Sequence, residues 1–412
     1  RKVMQDIIDL NPHISDSEEF RHFVERQSYR VNDSKPWIVY GYFIMENLNI
    51  TQIPESFGDL DFRSDLHFDN RFRLSLRNNL LETLPESFGN LKINGDIWLQ
   101  NNRLTQLPDS FGNLKLEGGS LLLNDNRLEK LPDNFGNLKI EDILHLNNNR
   151  LKTLPDSFGN LNLKLELLLE YNNLTSLPES FSRLENVHLL NLSHNELTKL
   201  PDNFGNLKVE YLKLEDNKLE SLPENFGDLT VRDMVTVALD GNKLTSLPES
   251  FSKLNVKYIG LSQNKLTKLP DNFGNLKIVD YLYLDDNELE SLPDSFGNLK
   301  VNEKLLLKNN KLSSLPNSFG DLKIGKDLYL NDNKLTSLPD SFCRLEVGNN
   351  LHLYRNELTS LPDDFGNLTV GRNLYLGRNK LTSLPDSFVN VKVGGSIRLN
   401  DGNDDDSESE EE

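Results

Sequence analysis

The stretch NKLTSLPDSF occupies residues 333–342 and returns letter for letter at residues 379–388. The Leu-Pro or Ile-Pro step recurs along the chain, with prolines at positions 54, 85, 108, 132, 155, 178, 201, 223, 248, 270, 293, 316, 339, 362 and 385. Most intervals are 23 residues, a few are 22, 24 or 25, and the first is 31. A fixed period of this length predicts a solenoid, in which each coil packs only against its neighbours.

Each period has the same internal order, which residues 327–338 illustrate with DLYLNDNKLTSL. Leu328 and Leu330 alternate with polar neighbours, which is the spacing of a strand with one buried side. The general pattern is L-x-L-x-x-N-x-L-x-x-L-P, followed by x-x-F-G-x-L. Because an amide both donates and accepts hydrogen bonds, we expect the recurring Asn to form a buried ladder. We expect the recurring Phe to stack into a spine, and the Gly after it to reverse a short helical turn.

This pattern resembles the leucine-rich repeat family of the intracellular type, over roughly Tyr42 to Asn400. The resemblance implies an α/β, β-dominated solenoid, a right-handed arc with a concave parallel β-sheet and short 3-10 or turn segments on its convex side. We predict that residues 1–41 form an N-terminal helical cap, with a short amphipathic helix up to Leu10. Residues 42–400 then form a solenoid of about 15 coils.

Two segments depart from the pattern. The 31-residue interval places about eight extra residues within FRSDLHFDNRFR at residues 62–73, which predicts a bulge. This bulge is either a binding loop or drift near a terminus. Residues 401–412, DGNDDDSESEEE, carry eight acids and are expected to form a disordered tail. A solubilising role is favoured, and a docking tail for a basic partner, or one phosphorylated at Ser407 and Ser409, is the alternative.

Composition and motifs argue against several classes of function. The net charge of −19 argues against a nucleic-acid partner, and no apolar run is long enough for a membrane span. The seven histidines lack H-E-x-x-H spacing, and there is no phosphate-binding glycine motif. We therefore predict no catalytic, cofactor or metal site, and no enzyme activity. The single cysteine, Cys343, favours a cytoplasmic or otherwise intracellular location, with secretion as the alternative because the chain begins without Met.

Binding information is expected at the outward positions of the strands, which the repeat does not dictate. Early coils present Arg73, Ser75 and Arg77, then Asp96 and Trp98. Later coils present six of the eleven tyrosines of the chain. Tyr and Arg dominate interface hot spots. We predict that the partner-binding residues on the concave face are Tyr258, Tyr281, Tyr283, Tyr329, His352, Tyr354, Arg355, Tyr375 and Arg378.

The tyrosines also have a second explanation. Tyr has a high β propensity, and drifted copies of one ancestral repeat would share it without any functional reason.

These features favour a non-enzymatic scaffold that binds a protein partner on its concave sheet and is itself a monomer. The first alternative is a sensing arm of a larger enzyme of the kinase, GTPase-linked or ubiquitin-ligase type, since the resemblance includes such proteins. A second alternative is an adhesion array on a cell surface. No cofactor is implied by any of these hypotheses.

Overall fold

The computed structural model describes residues 2–15, 17–18, 20, 31–32, 35–39, 42–62, 72–230 and 234–399. The chain divides into two compact units: a first unit of Arg1–Lys218 with Leu229–Arg232, and a second unit of Leu219–Asp228 with Asp233–Glu412. Most of the predicted 62–73 bulge and the whole acidic tail lie outside the described residues. Both therefore stay predictions.

Each unit contains eight parallel strands of the repeated type. In the first unit they are Tyr42–Ile44, Phe72–Ser75, Gly95–Trp98, Leu121–Leu122, Ile143–His145, Glu166–Leu168, Val187–Asn191 and Val209–Lys213. In the second unit they are Val235–Ala238, Asn255–Gly260, Lys277–Tyr283, Lys304–Leu306, Asp327–Tyr329, Leu351–His352, Leu374–Tyr375 and Ile397–Arg398. Within each unit, each strand pairs with the equivalent strand of the next coil, so Tyr281, Leu282 and Tyr283 lie beside Lys304, Leu305 and Leu306.

Two smaller sheets lie one in each unit. The first contains Val31–Asn32, Lys35–Val39, Asp61–Phe62, Lys92–Ile93 and Lys115–Leu116, and the second contains Lys300–Val301, Lys323–Ile324, Glu346–Val347, Thr369–Val370 and Lys392–Val393. Apart from Val31–Asn32 and Lys35–Val39, each of these strands follows a 3-10 segment. They are two residues long except at the start of the chain, because the return path of a 23-residue coil leaves little room for more.

Short 3-10 segments follow the repeated prolines, as predicted. Together with one that follows Asn11, they are Pro12–Ile14, Glu55–Asp59, Glu86–Asn90, Asp109–Asn113, Phe135–Asn137, Asp156–Asn160, Glu179–Arg183, Phe204–Asn206, Phe226–Asp228, Glu249–Lys253, Phe273–Asn275, Asp294–Asn298, Asn317–Asp321, Asp340–Arg344, Phe365–Asn367 and Asp386–Asn390. The proline sets an extended backbone before each segment, as at Pro293, where ψ is 154°. No helix within the described part of the chain has the length and apolar character needed to cross a membrane.

The asparagine ladder is confirmed. Asn333 donates from Nδ2 to the carbonyl oxygens of Leu307 in the preceding coil (2.9 Å) and Leu330 (3.1 Å). Its Oδ1 accepts from the backbone N–H of Leu312 at 3.1 Å. One buried amide thus satisfies three backbone groups where the chain leaves the strand. The same contacts recur from Asn102 to Asn379, which ties each coil to its neighbour.

The phenylalanine spine is also confirmed, but the reason predicted for the glycine after each Phe is wrong. Phe296, Phe319 and Phe342 are buried and stack with centroids 6.2 and 6.0 Å apart. Gly297 lies within the 3-10 segment and does not have a positive φ. A Cβ atom there would overlap the carbonyl of Ser318 in the next coil. The glycine therefore permits close approach of neighbouring coils rather than a reversal of the chain.

The N-terminal segment includes the α-helix Lys2–Leu10, as the apolar spacing predicts. Asn11 joins its end to the first coil, since its Nδ2 donates to the carbonyl of Gln52 (2.9 Å) and its Oδ1 accepts from the N–H of Thr51 (2.8 Å). Part of the predicted helical cap is extended, because Val31–Asn32 pairs antiparallel with Lys35–Val39. The boundary at residue 41 stays a prediction.

Candidate functional site

Seven of the nine predicted binding residues lie along three lines on the outward face of the second unit, which we define as the side chains that alternate with its buried strand leucines. The first line includes Tyr258 and Tyr281, which are paired across adjacent strands. The second line runs through Ala238, Gly260, Tyr283, Leu306, Tyr329, His352, Tyr375 and Arg398. The third line follows the strand ends and includes Asp240, Asp285, Lys308 and Tyr354. Because strands are parallel and in register, a difference of one period places two residues side by side.

Three tyrosines form one compact cluster. The ring of Tyr283 lies 5.3 Å from that of Tyr258 and 6.0 Å from that of Tyr281, both edge to face. Tyr258 and Tyr281 are 6.3 Å apart and tilted. All three side chains are half-buried. Edge-to-face packing restricts the rotation of the three rings.

A second cluster contains a three-ring stack. The imidazole of His352 lies between Tyr329, at 4.3 Å, and Tyr375, at 4.5 Å, and is within 5° of parallel to each. Tyr354 meets the imidazole edge to face at 5.9 Å. The guanidinium of Arg398 lies 5.4 Å from the Tyr375 centroid, which extends the stack by a cation.

His352 is 8% exposed, and among the described residues neither ring nitrogen has a hydrogen-bond partner. Burial lowers the pKa of His352 to about 4, and the positive charge of Lys308 acts in the same direction. The imidazole is therefore neutral at physiological pH and packs as an uncharged aromatic ring between the two tyrosines.

Arg355 and Arg378 do not join either ring stack directly. They lie in the turn after each strand with φ of 53°, in the left-handed region that glycine and asparagine favour. Arg355 contacts Asp332 at 3.3 Å and lies 5.9 Å from the Tyr354 centroid. The coil with Lys304, Leu306 and Lys308 separates the two clusters, so the seven aromatic residues among the nine predicted form two groups rather than one column.

Two carboxylates adjoin the first tyrosine cluster. The backbone N–H of Ser262 donates to Asp240 Oδ1 at 2.8 Å, and its hydroxyl donates to Asp285 Oδ1 at 2.6 Å. Burial raises the pKa of both carboxyl groups above the usual range, and the charge of Asp285 raises that of Asp240 further. The outward face thus includes carboxylates that have lost part of their hydration, which is unfavourable for their charged form.

The first unit has an aromatic and cationic cluster that the prediction of binding residues left out. The guanidinium of Arg73 lies 3.8 Å from the Trp98 ring, and that of Arg77 lies at 5.3 Å. Arg77 pairs with Glu46 at 2.9 Å, and Arg73 is 3.8 Å from Asp96. The repeat spacing places Arg73 beside Asp96 on adjacent coils, and this spacing is the sequence signal that indicates the cluster.

The clusters present aromatic rings, arginine cations and partly desolvated carboxylates. Groups of these types occur in protein–protein interfaces. Within the described ranges, no three His, Cys, Asp or Glu side chains are arranged to hold a metal ion.

Comparisons with known proteins agree with this architecture. Family models described as leucine-rich repeat match residues 165–219 and 232–289, and also residues 142–161 and 326–345. A leucine-rich repeat protein of Leptospira interrogans is 30% identical with a TM-score of 0.60, and the match covers 86% of this chain and 90% of that one. The chain therefore belongs to the leucine-rich repeat family, and the predicted family and β-dominated α/β solenoid are confirmed. No curated protein matched the chain.

Two other similar structures are more distant. YopM, a leucine-rich effector protein from Yersinia pestis, is 27% identical with a TM-score of 0.49, and the match covers 87% of this chain and 88% of that one. Toll in its complex with Spatzle, from Drosophila, is 21% identical with a TM-score of 0.57, over 85% of this chain and 53% of that one. At this identity the second match shows the fold alone. The leucine-rich repeat fold generally serves as a protein–protein interaction scaffold, and such proteins are typically non-enzymatic.

Proposed function

We propose that this chain is a monomeric, non-enzymatic scaffold that binds a protein partner on the outward face of its second unit. The observation that carries the proposal is the set of six half-buried tyrosines on that face, packed against one another and against His352. Tyrosines in this state offer large contact area, a polar hydroxyl and little rotamer entropy left to lose. A cytoplasmic or otherwise intracellular location belongs to the same proposal and is supported by the single cysteine.

The proposal predicts that a polar change of this face removes the partner without unfolding the coils. The outward-face variant is Tyr281→Ser/Tyr283→Ser/Tyr329→Ser/Tyr354→Ser. The control changes four exposed residues of the same unit that precede the prolines, with no net change of charge: Glu220→Ser/Lys243→Ser/Glu290→Ser/Lys334→Ser. Thermal melts of both proteins show whether each is folded.

Affinity capture from native lysate, followed by titration of the purified partner, gives the measurement. A partner held by the intact chain and the control, and weakened at least tenfold by the outward-face variant, supports the proposal. A partner held equally by all three proteins would refute this face as the binding surface. The sensing-arm hypothesis predicts a native product of larger intact mass, which mass spectrometry measures independently.

A further inference from the structure

The missing side chain at Gly260 leaves room in the second line of outward residues for the Tyr258 hydroxyl and the Asp240 carboxylate, and we call this group of side chains the cradle. Gly260 lies between Ala238 and Tyr283 in that line and has no side chain. A Cβ atom built there would lie 2.6 Å from the hydroxyl oxygen of Tyr258 and would overlap the carboxylate of Asp240. Both polar groups therefore converge over the backbone of Gly260, and any larger residue would displace them.

The walls of this cradle combine aromatic rings and negative charge. Tyr283 stands on one side with its ring 5.3 Å from that of Tyr258. Asp285 lies one coil beyond Ser262, whose hydroxyl and N–H hold the two carboxylates in place. Tyr258, Tyr283 and Asp240 are half-buried, so a ligand group can reach them from the outward side.

The charge balance of the cradle favours a cation. Burial raises the pKa of both Asp240 and Asp285, and Lys308 is the cation that opposes this effect at Asp285. No ion pair within 4.0 Å joins either carboxylate to Lys or Arg in the part of the chain that the structure describes. A partly desolvated carboxylate gains more from a cation than an exposed one does, because its own hydration is already lost.

Two contacts in the second unit show that its tyrosine rings pack against guanidinium groups. Arg398 places its guanidinium 5.4 Å from the Tyr375 centroid, and Arg355 lies 5.9 Å from that of Tyr354. A planar guanidinium can stack on a tyrosine and donate two parallel hydrogen bonds to a carboxylate, which an ammonium cannot do. The net charge of −19 also draws basic partners toward the chain.

We propose that the cradle formed by Asp240, Tyr258, Gly260, Tyr283 and Asp285 receives an arginine side chain of the protein partner. The inference rests on the proposed function and names the chemistry by which that surface recognises its partner. The guanidinium stacks on the tyrosine rings and donates to the Asp240 carboxylate, while Asp285 adds negative potential nearby.

The test uses the full chain labelled with 3-fluorotyrosine, and each ¹⁹F resonance is assigned by a Tyr→Phe variant. The probe is N-acetyl-arginine amide, and its neutral counterpart is N-acetyl-citrulline amide, which has nearly the same shape. We expect saturable shifts of the Tyr258 and Tyr283 resonances with the arginine probe, with a dissociation constant of about 10 mM. The citrulline probe should leave them in place.

Asp240→Asn keeps an oxygen for the N–H of Ser262 and should weaken the arginine response at least fivefold. Glu290→Gln removes one charge at an exposed position and should leave the response unchanged. An equal response to citrulline, or an equal response in Asp240→Asn, would overturn the cradle. Failure of the capture experiment with a normal arginine response would instead count against the proposed function alone.

Discussion

At the scale of single residues, the imidazole of His352 is held neutral by packing rather than by hydrogen bonds. Because its pKa falls from 6.5 to about 4 on folding, the unfolded chain takes up a proton first as the pH drops. The contribution of this group to stability is thus complete above about pH 6.5 and is lost as the pH falls toward 4. The total loss is on the order of 3 kcal/mol.

We therefore expect His352→Tyr to make the coils around Leu351 less sensitive to acid. Thermal melts of the intact chain and the variant at pH 7.5 and pH 4.5 measure the effect. The melting temperature of the intact chain should fall further between the two values than that of the variant, since other titrating groups are common to both. Parallel decreases would contradict the prediction.

Asn333 shows the same dependence of a coil on one side chain. Asn333→Ala leaves the N–H of Leu312 buried without a partner and removes one of the two asparagine hydrogen bonds to each of the carbonyls of Leu307 and Leu330, so we expect a loss of about 1–3 kcal/mol. Asn309→Gly is the matched control, because Asn309 is exposed and has φ of 54°, which glycine adopts readily. Urea unfolding of the three proteins makes the comparison, and equal losses in the two variants would count against the ladder as a source of stability.

At the scale of elements, the 3-10 segment of the next coil limits the size of the residue that can follow each phenylalanine. Ser182, Ser252 and Cys343 occupy the position that Gly297 has in its own coil. In each case the next coil begins its 3-10 segment at the phenylalanine, as in Phe273–Asn275, rather than directly after the proline. The late start alone does not make room for the side chain, since a Cβ atom at Gly112 would lie 2.2 Å from the Asn134 carbonyl oxygen although the segment there, Phe135–Asn137, also starts late.

Gly297 faces a coil with the early start, Asn317–Asp321, so Gly297→Ala should push the two segments apart. We expect a loss of about 1–3 kcal/mol, as for an overpacked core. Ser252→Ala is the matched control at the equivalent position and loses only the hydrogen bond from its hydroxyl to the carbonyl of Glu249 (3.0 Å). Hydrogen exchange of the amides in residues 317–322 reports the local opening, and unchanged protection in Gly297→Ala would refute the steric argument.

The 23-residue period made the secondary-structure elements predictable. It did not predict the contacts between side chains at the outward positions. The strands, the asparagine ladder and the phenylalanine spine arise from Leu, Asn and Phe at the same positions of successive coils. The structure of one coil therefore predicts that of the next. The stack around His352 and the arginines on Trp98 depend instead on rotamers and on which neighbours differ. The carboxylate of Asp240 lies over Gly260 because a single coil lacks a side chain there, which no repeat pattern encodes.

At the scale of the whole molecule, stability is expected to be a sum over coils and their nearest-neighbour contacts. Within the second unit each coil adds one Phe to the spine, one Asn to the ladder and one strand to the sheet. Ion pairs repeat in the same way, as between Lys311 and Glu288 (2.7 Å) and between Lys380 and Glu357 (2.7 Å). We therefore expect the fold to tolerate the deletion of one whole coil but not the deletion of part of a coil.

Deletion of residues 310–332 removes one 23-residue period and joins Asn309 to Asn333 in phase. We expect a folded protein with the circular dichroism per residue of the intact chain, because the next strand and the next Phe replace those removed. Deletion of residues 310–320 removes about half a coil, so leucines and polar residues exchange places and the neighbouring coils lose their packing. Hydrogen exchange of residues 281–307 separates the two outcomes: protection should persist after the in-phase deletion and vanish after the other. Loss of protection in both would show that the coils of this unit depend on more than their nearest neighbours.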